Sequence, residues 1–347
     1  MPRFTICIPA YNRAALLPPL LDSISAQEYA DYEILICEDA SPERSAIRAV
    51  AEEYSTRYPE RIRYVENERN LGYDGNLRTL ARLAAGDYCL FMGNDDLMCA
   101  GALAKAASAL ARHSDVGVLV RSYADFQGAP ENIDQEYRYF PDERFFPAGP
   151  DAVATAFRRS VVISGMVLHR TAALSFSTDR FDGSLLYQVW LVGNILVEKN
   201  AVFVPDILIL RRKGVPPDFG QAEAERGLFT PQDQTPESSL NFMRGMLGIA
   251  AAVEKDRGIK VYRRIVTDIA NYSYPVLSIQ AGKPLVVFLG YWWQLSLMGF
   301  GVSLPFHAYF TGLMTLGAPR LDRLIRTVKR RLGRTPSLGN IFQGRAG

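Results

Sequence analysis

Tyr88-Cys89-Leu90-Phe91-Met92-Gly93-Asn94-Asp95-Asp96 runs a short apolar stretch directly into an amide and two adjacent carboxylates. Apolar residues from Tyr88 to Met92, bounded by Gly86-Asp87 and Gly93-Asn94, predict a strand buried on both faces, as in the middle of a parallel sheet. Ligands of such sheets gather beyond the carboxyl ends of the strands, so this stretch delivers acidic groups to that rim. Two neighbouring carboxylates repel each other unless a cation or hydrogen-bond donors compensate them. Ligands that are all oxygen suit Mg²⁺ or Mn²⁺, which use one or two carboxylates and complete their shell with water and substrate phosphate. A solvated Asn-Asp turn is the other reading of the same residues, since both favour turns for local reasons.

Upstream, the same unit repeats. Phe4-Thr5-Ile6-Cys7-Ile8 is β-prone and stops at Pro9; the loop through Tyr11 and Arg13 leads to Leu16, Leu17, Leu20, Leu21 and Ile24 at helical spacing. Glu33-Ile34-Leu35-Ile36-Cys37 is a second strand, followed by Glu38 and Asp39 and by a helix in which Ser41 and Pro42 suit the first turn. Arg63-Tyr64-Val65-Glu66 is a third, and Asp74 opens the next helix through Leu77, Leu80 and Ala84. Strands alternating with helices predict a doubly wound, mostly parallel α/β sheet. Tyr11 and Arg13, Glu38 and Asp39, Asn70 and Asp74, and Asn94 to Asp96 then fall past the ends of successive strands, around one crevice. A nucleoside diphosphate needs this assortment: an acceptor for the base, donors for ribose and phosphate, and a cation for the diphosphate.

Taken together, Thr5 to Arg13, Glu33 to Ser41, Asn70-Leu71-Gly72, and Gly86-Asp87-Tyr88 leading to Asn94-Asp95-Asp96 resemble the family 2 glycosyltransferases of the GT-A fold, bacterial surface-polysaccharide type. The resemblance covers about the first 120 residues, with four elements in order and at the right spacing. It implies that Pro9, Tyr11 and Arg13 line a nucleotide pocket, that Asp39 accepts from the base imide, and that Asp95 lies near the ribose. It also implies that Asp96 ligates a divalent cation, Mg²⁺ or Mn²⁺, with Asp95 beside it, and that Asn70, Gly72, Asp74 and Asn94 complete the nucleotide-sugar site. Many relatives carry an acid where Gly93 stands, leaving Asp95 and Asp96 to hold the metal. Other nucleotide folds are disfavoured: there is no G-x-G-x-x-G after the first strand, no G-x-x-x-x-G-K-[ST], and no nucleophile-elbow serine.

The acceptor side is less regular. Residues 126–150 read as a long loop whose aromatics, Tyr137, Tyr139, Phe140, Phe145 and Phe146, suit a lid or acceptor wall. Ser160 to Arg170 resembles the family's acceptor-side strand, with Gly165 permitting close backbone approach; a lone His169 reads as structural. An inverting transferase needs a carboxylate to take the acceptor proton. In relatives an acidic pair at a helix start supplies it, but this chain has Tyr187, Gln188 and Val189 there. Gln188 can orient a hydroxyl on the acceptor side and cannot act as a base. Asp182 is the nearest carboxylate and the candidate base; a helix cap is its other reading.

Beyond Arg211, Arg212 and Lys213, which in the family can reach the diphosphate, residues 215–239 are rich in Pro, Gln and acids and read as a linker or flap. From Pro284 to Pro319 there is no Lys, Arg, Asp or Glu, and Gly and Pro divide the stretch into two short helices suited to lying at a membrane interface. A basic amphipathic helix follows, with Leu321, Leu324, Ile325, Val328 and Leu332 as its apolar stripe, and an anionic leaflet would attract it. A buried helical pair with a solvated basic tail is the alternative. The expected division is therefore a GT-A domain at 1–214 (nucleotide half 1–122, acceptor half 123–214), the flap, and a helical, apolar extension at 240–347.

With 39 Lys and Arg against 37 Asp and Glu, the net charge of +2 gives no reason to expect a nucleic-acid partner. Four cysteines without metal-ligand spacing read as reduced thiols. With no leader pattern before residue 3, these features place the expected protein in the cytoplasm, peripherally bound to the inner face of the plasma membrane. The expected function is transfer of a sugar from a nucleoside diphosphate sugar to a lipid-linked or saccharide acceptor in surface polysaccharide synthesis, inverting and metal-dependent. A non-catalytic nucleotide-sugar-binding or scaffolding subunit is the alternative, prompted by the missing acidic pair.

Overall fold

The structure, a computed structural model, describes residues 3–332. Among them, ten strands form one mixed sheet: β1 (Phe4–Ala10), β2 (Tyr32–Glu38), β3 (Ile62–Glu66), β4 (Tyr88–Phe91), β5 (Leu97–Met98), β6 (Val116–Phe126), β7 (Ile133–Tyr137), β8 (Arg144–Phe146), β9 (Met166–His169) and β10 (Asn200–Arg212). The spatial order is β3-β2-β1-β4-β9-β6-β10-β5, with β7 on β6 and β8 on β10.

The first four predicted strands are parallel neighbours, Phe4 pairing with both Tyr32 and Tyr88, and Ile34 with Ile62. Their crossovers are α1 (Leu17–Ser25), α2 (Arg44–Arg57) and α3 (Gly72–Leu83), each burying an apolar stripe such as Leu17, Leu20, Leu21 and Ile24. Helices on both faces leave β2 and β4 buried throughout, which is why these strands read as unbroken apolar runs. β1 lies between β2 and β4, so the chain order reverses there and the loops after β1 and β4 part to leave a crevice.

Beyond β4 the sheet is mixed. After α4 (Ala102–Arg112), β6 runs antiparallel to β9 and parallel to β10, while β9 is antiparallel to β4. The long loop expected at 126–150 is corrected: it carries β7 and β8. Tyr137 stacks on Tyr123 at 4.5 Å, and Tyr139 and Phe140 meet Phe203 edge-on, so these aromatics cover the sheet and do not wall the cleft. Three-residue β8 and half-exposed β7 are too short and mixed to show a period. Two closing strands expected around Pro205 are one, because a register shift between Val204 and Ile207 accommodates the proline.

The remaining helices are α5 (Pro150–Ala156), α6 (Arg170–Ser175), α7 (Tyr187–Glu198), α8 (Pro236–Arg257), α9 (Tyr262–Asn271), α10 (Tyr274–Gln280), α11 (Leu285–Leu297), α12 (Leu304–Leu316) and α13 (Ala318–Leu332). Thr235 caps α8, its hydroxyl accepting from Ser238 N, with Pro236 in the first turn. One apolar core continues from the sheet through Leu191 of α7 into Ile249, Ile265 and Phe306. In α11, Phe288, Tyr291 and Leu295 face this core, while Val286, Leu289, Trp293 and Leu297 face outward. No helix among the described residues is long and apolar enough to cross a membrane. Leu321 of α13 is buried and Arg326 pairs with Asp134. Arg334 and the side chains of Lys329, Arg330, Arg331 and Leu332 lie outside what is described.

Candidate functional site

A cleft of about 540 Å³ opens over the carboxyl ends of the parallel strands. Pro9, Tyr11 and Arg13 reach it from β1 and the loop beyond; Asp39 comes from the loop after β2, Asn70 and Gly72 from that after β3, and Asn94, Asp95 and Asp96 from that after β4. Asp39 accepts hydrogen bonds from Asn67 Nδ2 (2.7 Å) and Leu71 N (2.9 Å). Burial outweighs these donors and pushes its pKa up to about 6. Asn70 Oδ1 accepts from Gly72 N at 2.9 Å, closing a turn in which Gly72 has φ of +76°. A Cβ on Gly72 would also lie 2.8 Å from Glu225 Oε1, so glycine is required twice over.

Two consecutive non-glycine residues, Asn12 and Arg13, hold left-handed φ values of +53° and +63°. Such backbone is costly and persists where its surroundings fix it. Here Asn94 Nδ2 donates to Asn12 O at 3.0 Å, and Arg13 donates to Asp95 Oδ2 at 2.9 Å. Asn12 Oδ1 and Arg13 Nε are buried without a hydrogen-bond partner.

The carboxylates at the head of the cleft converge. A methyl group placed on Gly93 would lie 3.2 Å from Asp95 Oδ1, 3.1 Å from Asp96 Oδ2 and 3.2 Å from Ser164 Oγ. Ser164 donates to Asp96 Oδ2, and Arg212 N donates to Oδ1 at 2.9 Å. Burial first, and the Asp95 charge second, push the Asp96 carboxyl well above the usual range. No cluster of three or more His, Cys, Asp or Glu side chains is placed to hold a metal among the described residues. Two carboxylates and a hydroxyl facing one small space nevertheless fit a hard cation that takes its other ligands from water and phosphate.

Residues 216–234 lie across this crevice. Tyr11 OH donates to Gln221 Oε1 (3.0 Å), Arg13 Nη2 to Pro216 O (2.6 Å), and Tyr73 N to Glu225 Oε1 (2.7 Å). Glu225 is buried, and Gly220 N donates to its other oxygen at 2.8 Å, so one side chain ties the segment to the amino end of α3.

Residues 5–162 match the glycosyl transferase family 2 model. This stretch is similar to the family 2 glycosyltransferases. Abequosyltransferase RfbV of Salmonella typhimurium is 34% identical over 112 residues, 32% of this chain and 34% of that protein. A Campylobacter jejuni protein named GalNAc(5)-diNAcBac-PP-undecaprenol beta-1,3-glucosyltransferase is 29% identical over 106 residues, 30% of this chain and 33% of its own length. The aligned parts thus span about a third of these curated relatives. The fold of TarS 1–349 from S. aureus, solved in complex with UDP-GlcNAc, superposes with a TM-score of 0.59 at 14% identity, covering 84% of this chain and 79% of that one. A Pyrobaculum calidifontis mannosyltransferase, solved in complex with GDP-Man and Mn²⁺, gives 0.53 at 17% identity, covering 93% and 87%. The GT-A fold follows from these likenesses.

Within the glycosyltransferase fold, four expected site residues stand apart from the cleft. Asp182 is held by Arg78 through two hydrogen bonds of 2.5 and 2.7 Å and does not line it. Asp74 instead accepts from Leu185 N (2.9 Å) and Tyr187 N (2.8 Å), fixing the turn before α7, where Leu185 has φ of +64°. Gln188 is buried and donates to Val161 O at 2.9 Å, with its Oε1 unpartnered. Gly165 underlies the cleft; a Cβ there would meet Ile209 Cγ1 at 2.3 Å.

The cleft adds Asn76, Asp218, Glu225 and Asp233, which sequence reasoning missed, and gives Ser164 a carboxylate partner. Asp233 is the cleft carboxylate whose side chain has no hydrogen bond or ion pair among the described residues. Of the basic trio, Arg211 is paired with Asp125 (2.8 Å), Arg212 Nε donates to Asp95 O (2.9 Å), and Lys213 pairs with Asp134 outside the cleft.

Proposed function

We propose that the chain is an inverting, cation-dependent glycosyltransferase that moves a sugar from a nucleoside diphosphate sugar to a saccharide or lipid-linked acceptor in cell-surface polysaccharide synthesis. The observation that carries this reading is the convergence of Asp95 Oδ1, Asp96 Oδ2 and Ser164 Oγ over Gly93, in a cleft that also holds Tyr11, Arg13 and Asp39. Asp95 and Asp96 would hold Mg²⁺ or Mn²⁺, which when bound supplies positive charge against the diphosphate. Asp39 accepts from the base imide, Tyr11 and Pro9 flank the base, and Asn70, Gly72 and Asn94 shape the pocket around the rest of the nucleotide. Arg13 and Arg212 line the cleft, and their guanidinium groups would favour phosphate oxygens. Segment 215–239 acts as the flap over the donor, and helices from 240 onward lay Val286, Leu289, Trp293 and Leu297 on the inner membrane surface, aided by exposed Arg320 and Arg323 of α13.

The attacking acceptor hydroxyl must lose a proton, and Asp182 is committed to Arg78. Asp233, unpartnered in the cleft, takes that role in this reading.

A second reading, a nucleotide-sugar-binding or scaffolding subunit without turnover, is favoured by the engagement of Asp182 and the burial of Gln188 at the place where relatives keep an acidic pair. A thermal-shift screen of nucleoside diphosphates with and without Mn²⁺, followed by donor-turnover assays, separates the readings. Binding with turnover supports transfer, binding without turnover on any donor supports the subunit, and no binding refutes both.

A further inference from the structure

The cleft lining has two chemistries. Besides the nucleotide residues it includes Val161 and Ile163, Phe242 and Met243 of α8, and Val276 and Ile279 of α10. This surface, aliphatic and thioether except for Phe242, offers no hydrogen-bond partner to sugar hydroxyls and gains from covering by hydrocarbon. Its margin is polar: Ser238, Ser239 and Asp233 also line the cleft.

This wall is built and held. Gln280 is fully buried, and its Nε2 donates to Gln234 O and Ser239 Oγ, each at 2.9 Å, fixing α10 against α8 and the end of segment 216–234. The apolar surface also leads out of the cleft. Ile279 is 46% exposed, and across the turn Leu285 and Val286 at the start of α11 are 54% and 81% exposed. Val286, Leu289, Trp293 and Leu297 continue outward at helical spacing. Lys283 stands exposed in the intervening turn, a cation beside an apolar path.

We propose that the wall formed by Val161, Ile163, Phe242, Met243, Val276 and Ile279 holds the hydrocarbon chain of a lipid-phosphate acceptor. This assignment rests on the glycosyltransferase reading and chooses between its two acceptor classes. The chain lies along the wall and leaves past Ile279 toward α11, and the sugar, joined to the inner end of the chain through the phosphate, presents its hydroxyl at the Asp233 margin. An amphiphile matches every part of this arrangement, whereas a free saccharide would leave the apolar wall uncovered.

The test titrates full-length protein with farnesyl phosphate and isopentenyl phosphate below their aggregation concentrations, by calorimetry. Farnesyl phosphate is expected to bind at least about tenfold more tightly, since each buried methylene adds to affinity. Ile279→Asn should abolish that preference, Ile279→Leu should keep it, and Val302→Asn, at an exposed position outside the cleft lining, should leave it intact. Half-exposed Ile279 makes the first variant tolerable to the fold, and its melting temperature checks this directly. Equal affinities for the two phosphates, a preference that survives Ile279→Asn, or one abolished by Val302→Asn would overturn the assignment. Thermal shift by nucleoside diphosphate with Mn²⁺ is read on the same samples. Its failure would sink the donor reading, while its presence with no chain-length preference would sink only the lipid site.

Discussion

The two halves of the cleft are assembled differently. On the nucleotide side each functional residue follows its own strand by a few positions: Tyr11 follows β1, Asp39 follows β2, and Asp95 follows β4. On the acceptor side the wall gathers residues from around 160, 240 and 280, and Glu225 reaches back to Tyr73 across 152 positions. The first arrangement is inherent in parallel α/β topology, which brings strand ends to one rim. The second exists only after helices α8 and α10 have packed. Donor-side substitutions should therefore act on chemistry, and many acceptor-side ones on packing.

Asp96→Ala should have the largest effect. It removes one of the two carboxylates converging over Gly93, and loss of charge stabilisation worth several kcal/mol lowers turnover on the order of a thousandfold. The fold should tolerate the change, because the lost carboxylate is buried beside another. Donor turnover and melting temperature measure the two parts. Turnover near wild type would move the cation, or the chemistry, elsewhere.

Asp233→Asn comes next. Loss of a general base typically costs about a hundredfold or more in kcat, with the donor KM unchanged. The contrast with Asp96→Ala is sharp, since nucleoside diphosphate binding with Mn²⁺ should survive in Asp233→Asn. Unchanged kcat would remove Asp233 from the mechanism.

A smaller, pH-dependent effect belongs to Asp39. In the proposed contact with the base, Asp39 is the much stronger acceptor for an imide N–H when ionised, and burial has raised its pKa to about 6. Ionisation is nearly complete above that value and is lost below it, so nucleotide affinity should fall roughly tenfold between about pH 7.5 and about pH 5. Asp39→Asn should flatten the dependence at the weak-binding level. Affinity that does not change with pH in the wild type would separate Asp39 from the base.

The same contrast accounts for what the sequence made readable. Tyr88 to Asp96 announces both a buried strand and the acids it delivers, because periodicity and function coincide in consecutive residues. The loops after β1, β2 and β3 were readable for the same reason. β7 and β8 were not: both are short, β7 is half-exposed with no clean alternation, and β8 finds its partner, β10, only far along the chain. Asp233 and Glu225 sit in an aperiodic stretch rich in Pro, Gln and acids, where composition describes a linker and only long-range contacts place side chains in a site. Asp74 looked like a rim residue because it follows β3, but one turn of α3 carries it beneath the cleft to the backbone before α7.

The smallest effect is expected at Asp182, where chain position and contacts disagree. Position favours a base, because Asp182 is the nearest carboxylate ahead of α7 in the chain. Contacts favour a brace: both carboxylate oxygens face Arg78, whose guanidinium also donates to Thr178 O at 3.1 Å. A base must be within hydrogen-bond reach of the proton it takes, and a carboxylate bound twice by an arginine outside the cleft is poorly placed for that. The pair is only partly buried, with the two side chains 28% and 23% exposed, so breaking its charge balance costs about 1 kcal/mol. Asp182→Asn, which keeps one oxygen for Arg78, should lower the melting temperature slightly and change kcat by less than about threefold, against the hundredfold typical of a lost base. A large fall in kcat at an unchanged melting temperature would mean that the pair opens when acceptor binds, and would return to Asp182 the role here given to Asp233.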